Sequence, residues 1–193
     1  MASAPGSGPG GRWFKSSLPD TFIMKKLKTL ISKEDIVSRV KELAYNINKD
    51  YKNKDLHIIG VLKGSFIFLS DLMRKLNLNP TVDFIMLKSY AGEQSTENVK
   101  ILHDISMEVK GKDILIVEDI VDTGITLEFL INLLHAKSPN SIKVITLLDK
   151  PSKRKINIPV DYVGFKIKDR FVVGYGLDFN EQYRQLPFIG YFE

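Results

Sequence analysis

The sequence of 193 residues contains no cysteine, which excludes a disulfide framework and any metal site built on thiolates. It also has no apolar run of about 18 residues, so it predicts no membrane-spanning helix and no membrane partner. The three histidines, His57, His103 and His135, lack metal-ligand spacing, and no Ser-His-Asp or zinc pattern is present. We therefore expect a protein of the reducing cytoplasm, in which oxygen atoms hold any metal.

A strong concentration of positive charge is missing as well. The formal net charge is +5, and the lysines and arginines are scattered apart from one cluster between Lys150 and Lys155. Proteins that bind nucleic acid usually concentrate their charge more than this. The composition therefore predicts no nucleic-acid partner, whereas a small polyanionic substrate would be attracted equally well.

The chain has enough apolar residues for one globular domain with a real core, since 44% of its residues are hydrophobic and 26% are charged. It shows no internal repeats. Residues 1–11 are an uncharged mixture of Ala, Ser, Pro and Gly, which does not favour folding. We interpret residues 1–23 as a flexible leader or tag, with Met24 as the native start, in preference to a targeting peptide.

The segment from Ile114 to Leu127 carries the densest chemistry. Ile114–Val117 reads as a strand buried on both faces, as in parallel sheets, and two adjacent acids, Glu118 and Asp119, follow it. Apolar residues at helical spacing then begin at Leu127 and continue with Leu130, Ile131 and Leu134. The segment therefore predicts a strand, a tight loop and the start of a helix.

The loop between this strand and helix suits a phosphate. It offers backbone N–H groups, the positive end of a helix and the hydroxyl groups of Thr123 and Thr126. Gly124 would let the backbone approach the ligand closely. The two preceding acids would repel an anion unless a cation or ribose hydroxyls lay beside them. The loop thus indicates a phosphorylated sugar with Mg²⁺ nearby, and leaves Asp122 available as a base.

A simpler interpretation is that Asp122 or Thr123 only caps the following helix and that the acids form a solvated strand end. Three acids, two threonines and one glycine fall within the nine residues from Glu118 to Thr126. This density favours a ligand site.

Other segments complete an α/β pattern. A helix begins at Ser32–Asp35. A buried strand, Leu56–Leu62, leads through Lys63 and Gly64 into a second helix, and the turn between them is another candidate anion-binding site. Further strands are predicted at Thr81–Leu87, Val99–Leu102 and Ile142–Leu148. We expect residues from Val160 onward to form a small region beside the carboxyl edge of the sheet.

The stretch Val117–Gly124 resembles the phosphoribosyl-pyrophosphate loop of type I phosphoribosyltransferases. The wider match, from about Leu27 to the C-terminus, most resembles hypoxanthine-guanine phosphoribosyltransferases. It implies a central, mostly parallel sheet flanked by helices, with a core at about 34–148 and a small hood from about 24–33 and 150–193, all in one domain, 24–193. It also implies a homodimer or homotetramer.

The resemblance implies purine salvage: hypoxanthine or guanine reacts with 5-phosphoribosyl 1-pyrophosphate to give IMP or GMP and pyrophosphate. Asp122 matches the catalytic base. The positions that match ribose and phosphate binding are Glu118, Asp119, Thr123, Gly124, Ile125 and Thr126. Ile125 departs from relatives that carry lysine there, so the phosphate would depend on the other groups of the loop.

Further positions match the remaining parts of such a site. Those for pyrophosphate are Lys63, Gly64 and Arg184, the first two at a turn of unusual peptide geometry. Those for the purine are Lys150, Phe171, Val172 and Asp178. Glu118, Asp119 and Asp178 match metal-binding acids, and Ser89 and Tyr90 match a lid. Gly176 stands where some relatives have alanine.

Taken without the resemblance, several of these residues also fit ordinary structural roles. Lys150, Asp178 and Arg184 could be surface charges, and Phe171 and Val172 could belong to the core. Two other functions also stay open: a regulator that senses phosphoribosyl pyrophosphate and binds nucleic acid, and a xanthine-preferring phosphoribosyltransferase. The regulator would need a basic face or an added module, and the leader is too short and glycine-rich to fold as one.

Overall fold

The computed structural model describes residues 26–90 and 98–193, so the leader at 1–23 lies outside it. The strands in these ranges are β1 (Leu27–Ile31), β2 (Leu56–Leu62), β3 (Thr81–Tyr90), β4 (Asn98–His103), β5 (Asp113–Val121), β6 (Ser141–Asp149), β7 (Tyr162–Lys166) and β8 (Ile189–Phe192). The helices are α1 (Lys33–Asp50), α2 (Phe66–Met73) and α3 (Ile125–His135), and Pro151–Lys153 forms one 3₁₀ turn.

Six strands form the main sheet in the order β4-β3-β2-β5-β6-β7. All neighbours pair in parallel except β3 and β4, which form an antiparallel hairpin. The chain passes from β2 to β3 on one side and places β5 on the other side of β2. Ligands of open α/β sheets bind at such a reversal, outside the carboxyl ends of the strands. The mostly parallel, helix-flanked sheet predicted from the sequence is confirmed.

The central strands explain this layering because they are apolar on both faces. Leu115 and Val117 of β5 pack in one cluster with α1 and α2, while Ile114 and Ile116 pack in another cluster with α3. A strand with two apolar faces needs helices on both sides. Among the described residues, no helix is both long and apolar enough to span a membrane.

Helix α1 starts as its sequence predicts. The Ser32 side chain caps it by accepting a hydrogen bond from the N–H of Asp35 at 3.1 Å. Further along, the Arg39 guanidinium donates to the carbonyls of Val163 at 2.7 Å and Gly164 at 2.9 Å. These two carbonyls belong to β7, so α1 holds the edge of the main sheet.

Two differences from the sequence-based expectations change the layout of the sheet. Strand β5 continues past Val117 to Val121, because residues 118, 120 and 121 still pair with β6. The segment from Val160 was expected in the small region, but Tyr162–Lys166 pairs with β6 as the edge of the main sheet. The assignment of that segment to the hood was therefore wrong.

The rest of the small region forms around a second sheet. Strand β1 pairs antiparallel with β8, and Val173 adds a bridge to Gly190. Its apolar side chains join the cluster under α1 and α2; they are Ile31, Val172, Tyr175, Leu177 and Ile189. The N-terminal strand and the C-terminal tail are thus packed onto the carboxyl end of the main sheet.

Candidate active site

Three loops meet at the carboxyl ends of β2 and β5. A methyl group at Gly64 would overlap the carboxylate of Asp119, and one at Gly176 would overlap the carbonyl oxygen of Gly64. The peptide bond between Leu62 and Lys63, just before this contact, is cis, which agrees with the unusual geometry that the sequence resemblance implied. The turn after β2, the end of β5 and the tail therefore share one corner.

The acids at the end of β5 sit in surroundings that disfavour charge. Burial raises the pKa of Glu118 well above its ordinary value, and the charge of Asp119 adds to the rise. Burial also raises the pKa of Asp119 to about 6, although the N–H of Ile120 and the charge of Arg184 favour the ionised form. A cation or hydroxyl donors would remove this penalty, so both acids are suited to hold such a ligand.

The loop after β5 presents backbone N–H groups that lack a hydrogen-bond partner in the described part of the chain. Gly124 is the N-cap of α3 with φ of 89° and has no side chain with which to cap the helix. The simpler interpretation therefore holds only in part: Thr123 caps the first N–H group of the helix, whereas the described residues show no such bond from Asp122. Among the described residues, the N–H groups of Gly124 and Thr126 have no partner, while Thr123 Oγ1 accepts a 3.4 Å bond from the N–H of Ile125. Unpaired N–H groups at the positive end of a helix suit an anion.

A neighbouring segment braces this loop. The carbonyl of Thr123 accepts hydrogen bonds from the N–H groups of Lys155 at 3.0 Å and Ile156 at 3.2 Å. Arg154 packs behind Gly124 and pairs with the buried carboxylate of Asp149. The sequence did not indicate Arg154, which stands there only as one member of a basic cluster. No sequence pattern predicts the contact of Arg154 with Gly124.

Asp122 and Lys150 face each other across the ends of β5 and β6. The Nζ of Lys150 lies 3.7 Å from Oδ2 of Asp122, and the lysine side chain is buried. The other oxygen, Oδ1, is also buried and has no hydrogen-bond partner. Lys150 is therefore not the surface lysine of the simpler interpretation, and the pair offers one acceptor and one donor side by side.

Phe171 and Val172 occupy opposite environments. Phe171 is 57% exposed, and its ring meets the edge of Phe179 at a centroid distance of 5.7 Å. Val172 is only 5% exposed and packs in the core cluster. A structural core role thus fits the side chain of Val172, whereas the face of Phe171 is available for stacking.

Asp178 and Arg184 lie in the same corner as Asp119. The guanidinium of Arg184 contacts the carbonyl of Gly176 at 2.7 Å and Oδ1 of Asp178 at 2.9 Å. It also contacts Glu181, which in turn pairs with Lys63 at 3.1 Å. Sequence reasoning missed Glu181, because a contact between residues 63 and 181 leaves no local pattern.

The positions matched to a lid are only partly described. Ser89 and Tyr90 close strand β3, where they pair with Val99 and Asn98, and their side chains and residues 91–97 lie outside the described part. His57 is fully buried in β2, with Nδ1 2.7 Å from Thr81 Oγ1, which fits its expected structural role.

Known proteins resemble this chain over most of its length. The profile of the phosphoribosyl transferase domain matches residues 27–180. A hypoxanthine-guanine phosphoribosyltransferase of Staphylococcus aureus is 46% identical over 164 residues, which cover 84% of this chain and 92% of that protein. A hypoxanthine phosphoribosyltransferase of Escherichia coli is 44% identical over 167 residues, which cover 85% and 94%.

Solved structures agree with the sequence comparison. The crystal structure of a hypoxanthine phosphoribosyltransferase from Staphylococcus aureus superposes with a TM-score of 0.83 at 46% identity, covering 86% of this chain and 91% of that one. A hypoxanthine-guanine phosphoribosyltransferase from Bacillus anthracis gives the same TM-score of 0.83 and covers 86% and 98%. The chain therefore belongs to the phosphoribosyltransferase family, and within it to the hypoxanthine-guanine phosphoribosyltransferases.

Proposed function

We propose that this protein is a purine salvage enzyme that transfers phosphoribose from 5-phosphoribosyl 1-pyrophosphate to hypoxanthine or guanine and releases pyrophosphate. The observation that carries the proposal is the pair of Asp122 and Lys150, 3.7 Å apart beside the open loop after β5. An acceptor and a donor at this separation match one edge of an oxopurine.

The match follows from the chemistry of the purine ring. The six-position oxygen and the adjacent imidazole nitrogen lie on the same edge of a 6-oxopurine. Lys150 donates to the oxygen, while Asp122 accepts the proton carried by the nitrogen. An adenine presents an amino group in place of the oxygen, so it would set two donors against each other. This pairing selects oxopurines and orients the base for attack.

The remaining purine contacts come from the small region. Phe171 stacks on the base with its exposed face, and the backbone of Val172 reads the far edge. Among the described residues, the N–H and C=O of Val172 have no backbone partner, as such a role requires. Its buried side chain fixes where this backbone lies.

The ribose 5-phosphate is held by the end of β5 and the loop that follows. The open N–H groups of Gly124 and Thr126 and the hydroxyls of Thr123 and Thr126 bind the phosphate, and Ile125 contributes its backbone. Glu118 and Asp119 accept hydrogen bonds from the ribose hydroxyls. These hydroxyls replace the water that burial removes from the two acids.

The acids of the corner also fit Mg²⁺. Across residues 26–90 and 98–193, no three histidine or acidic side chains cluster closely enough to form a complete metal site. Mg²⁺ instead takes one or two carboxylates together with the phosphate oxygens of its substrate. One or two of the acids Glu118, Asp119 and Asp178 would supply those carboxylates, and the ion would neutralise charge on the pyrophosphate.

Different protein groups act on the departing pyrophosphate and on the attacking base. Breaking the bond at the anomeric carbon leaves positive charge on the ribose and negative charge on the departing pyrophosphate. Lys63, the backbone at Gly64 and Arg184 stabilise that negative charge. Asp122 removes the proton from the imidazole nitrogen as the base attacks, which keeps the product neutral at that atom.

The proposal also covers features that rest on the family resemblance. The core and hood form one domain, 24–193, with Tyr162–Lys166 counted in the core. Ser89 and Tyr90 belong to a lid that excludes water from the sugar cation. The enzyme is cytoplasmic and assembles as a homodimer or homotetramer.

An absorbance assay with separate purines tests the proposed function. The purified protein is incubated with Mg²⁺, 5-phosphoribosyl 1-pyrophosphate and hypoxanthine, guanine, xanthine or adenine. We expect nucleotide from hypoxanthine or guanine and none from adenine. Preferential turnover of xanthine would correct the substrate assignment, and turnover of none would contradict the proposal.

A further inference from the structure

The carboxylate of Glu181 contacts both cationic side chains of the proposed pyrophosphate subsite. Oε1 of Glu181 lies 3.1 Å from Nζ of Lys63, and Oε2 lies 2.9 Å from Nη2 of Arg184. The two oxygens of one carboxylate thus take the positions that two oxygens of a phosphate group would take.

Arg184 is anchored independently of this contact. Its guanidinium donates to the carbonyl of Gly176 at 2.7 Å and also reaches Asp178 at 2.9 Å. Glu181, by contrast, is 64% exposed, and exposed ion pairs contribute little to stability. Arg184 therefore does not need Glu181 to hold its place, and the carboxylate can leave with little loss.

The backbone at Glu181 is in an uncommon conformation. Phe179 and Gln182 close a tight turn with reciprocal N–H to carbonyl bonds of 3.1 and 3.0 Å, which places Asn180 and Glu181 at its centre with φ of 52° and 63°. Asparagine and glycine suit such positions, whereas glutamate is strained there. An outlier of this kind beside a binding site points to a role for the side chain.

The carboxylate of Glu181 faces the two cations directly, at 3.1 Å from Lys63 and 2.9 Å from Arg184. A charged carboxylate on both cations excludes another anion from them, and it repels an anion that has displaced it.

We propose that Glu181 is an internal competitor of pyrophosphate, which occupies Lys63 and Arg184 in the substrate-free protein and is displaced when the anion binds. The inference rests on the proposed function, because that function assigns the two cations to pyrophosphate. Competition of this kind weakens binding of the anion and hastens its release as product.

Calorimetric titration with inorganic pyrophosphate in the presence of Mg²⁺ tests the competition. Glu181→Gln keeps the shape of the side chain and removes its charge, so we expect the Kd for pyrophosphate to fall by about threefold to tenfold relative to wild type. An unchanged Kd would overturn the inference. A higher Kd would overturn it too, because Glu181 would then assist binding.

Glu42→Gln is the matched control. Glu42 pairs with Arg39 at the same spacing of three residues and is 58% exposed, but it lies on the outer face of α1. The control removes the same charge and should leave the Kd for pyrophosphate unchanged. An equal fall in both variants would reduce the effect to net charge and overturn the inference.

A second variant separates competition from changes in the turn. Glu181→Gly removes the carboxylate and relieves the positive φ, so it should also lower the Kd. Nucleotide formation by the wild type is measured in parallel. Normal activity with an unchanged Kd in both variants would overturn the inference alone, whereas pyrophosphate binding without nucleotide formation would overturn the proposed function alone. A wild type that binds no pyrophosphate would overturn both.

Discussion

At the scale of single residues, the proposed chemistry depends on buried polar atoms. Asp122 has one buried oxygen with no partner and one oxygen 3.7 Å from Lys150. Burial raises the pKa values of Glu118 and Asp119. Such groups gain most when a ligand supplies the missing donors, because a buried polar group without a partner is costly.

Replacing Asp122 with asparagine tests its role as the base. Asp122→Asn keeps the size of the side chain and removes the proton acceptor, so kcat should fall roughly a hundredfold to ten-thousandfold. Binding of 5-phosphoribosyl 1-pyrophosphate, measured by calorimetry, should change little. Steady-state kinetics equal to those of the wild type would defeat the assignment.

Replacing Lys150 with alanine tests base selection. Lys150→Ala removes the donor that we propose discriminates the six-position oxygen from an amino group. The ratio of kcat/KM for hypoxanthine to that for adenine should fall roughly tenfold to a hundredfold, the range expected for a charged hydrogen bond. An unchanged ratio would count against the role of Lys150.

At the scale of elements, the sequence predicted those parts of the fold that have local causes. Strand β2 was predicted at its observed bounds because five of the seven residues of Leu56–Leu62 are aliphatic, and Ser32 was recognised as a cap from its spacing to Asp35. The continuation of β5 to Val121 was missed, since its acids disfavour a strand and only pairing with β6 holds them there.

Contacts between distant segments had no such signal. The candidate site residues were chosen through motif and family resemblance, but the packing of Gly64 against Asp119 and of Gly176 against Gly64 was not predictable. The edge position of Tyr162–Lys166 likewise depends on bonds from Arg39, which lies more than 120 residues away.

The contact between the turn after β2 and the end of β5 gives a steric prediction. Gly64→Ala would place a methyl group in the carboxylate of Asp119, and overpacking of this kind typically costs about 1–3 kcal/mol. The Kd for 5-phosphoribosyl 1-pyrophosphate, measured by calorimetry, should therefore rise at least about fivefold. Gly111→Ala is the control, because no atom lies within 4 Å of its added methyl group; its φ of 70° adds backbone strain, but far from this contact. Equal Kd values for the two variants would show that the contact has no influence on binding.

At the scale of the whole molecule, one buried histidine ties stability to pH. Burial and the charge of Lys112 lower the pKa of His57, although Asp83 and Asp55 act in the opposite direction. The protonated form is then favoured in the unfolded chain. The stabilising contribution is complete above the unfolded pKa of about 6.5 and is lost as pH falls toward the folded value.

We expect His57→Asn to remove this part of the pH dependence. The free energy of unfolding of the wild type, from urea titrations, should decline as pH drops below about 6.5, and the variant should decline less steeply over the same range. His135→Asn, at an exposed position of α3, should behave as the wild type. Parallel curves for wild type and His57→Asn would contradict this linkage.

The whole arrangement brings buried acids and unpaired amide donors to the point where the order of the strands reverses. We therefore expect an activated pentose and a divalent ion to bind there together. Calorimetric titration with 5-phosphoribosyl 1-pyrophosphate, with Mg²⁺ and with the metal chelated, measures this most directly. We predict one ligand bound per chain, an affinity that depends on Mg²⁺, and at least about tenfold weaker binding in Asp119→Asn. Equal affinity with and without the metal, unchanged by Asp119→Asn, would contradict the account.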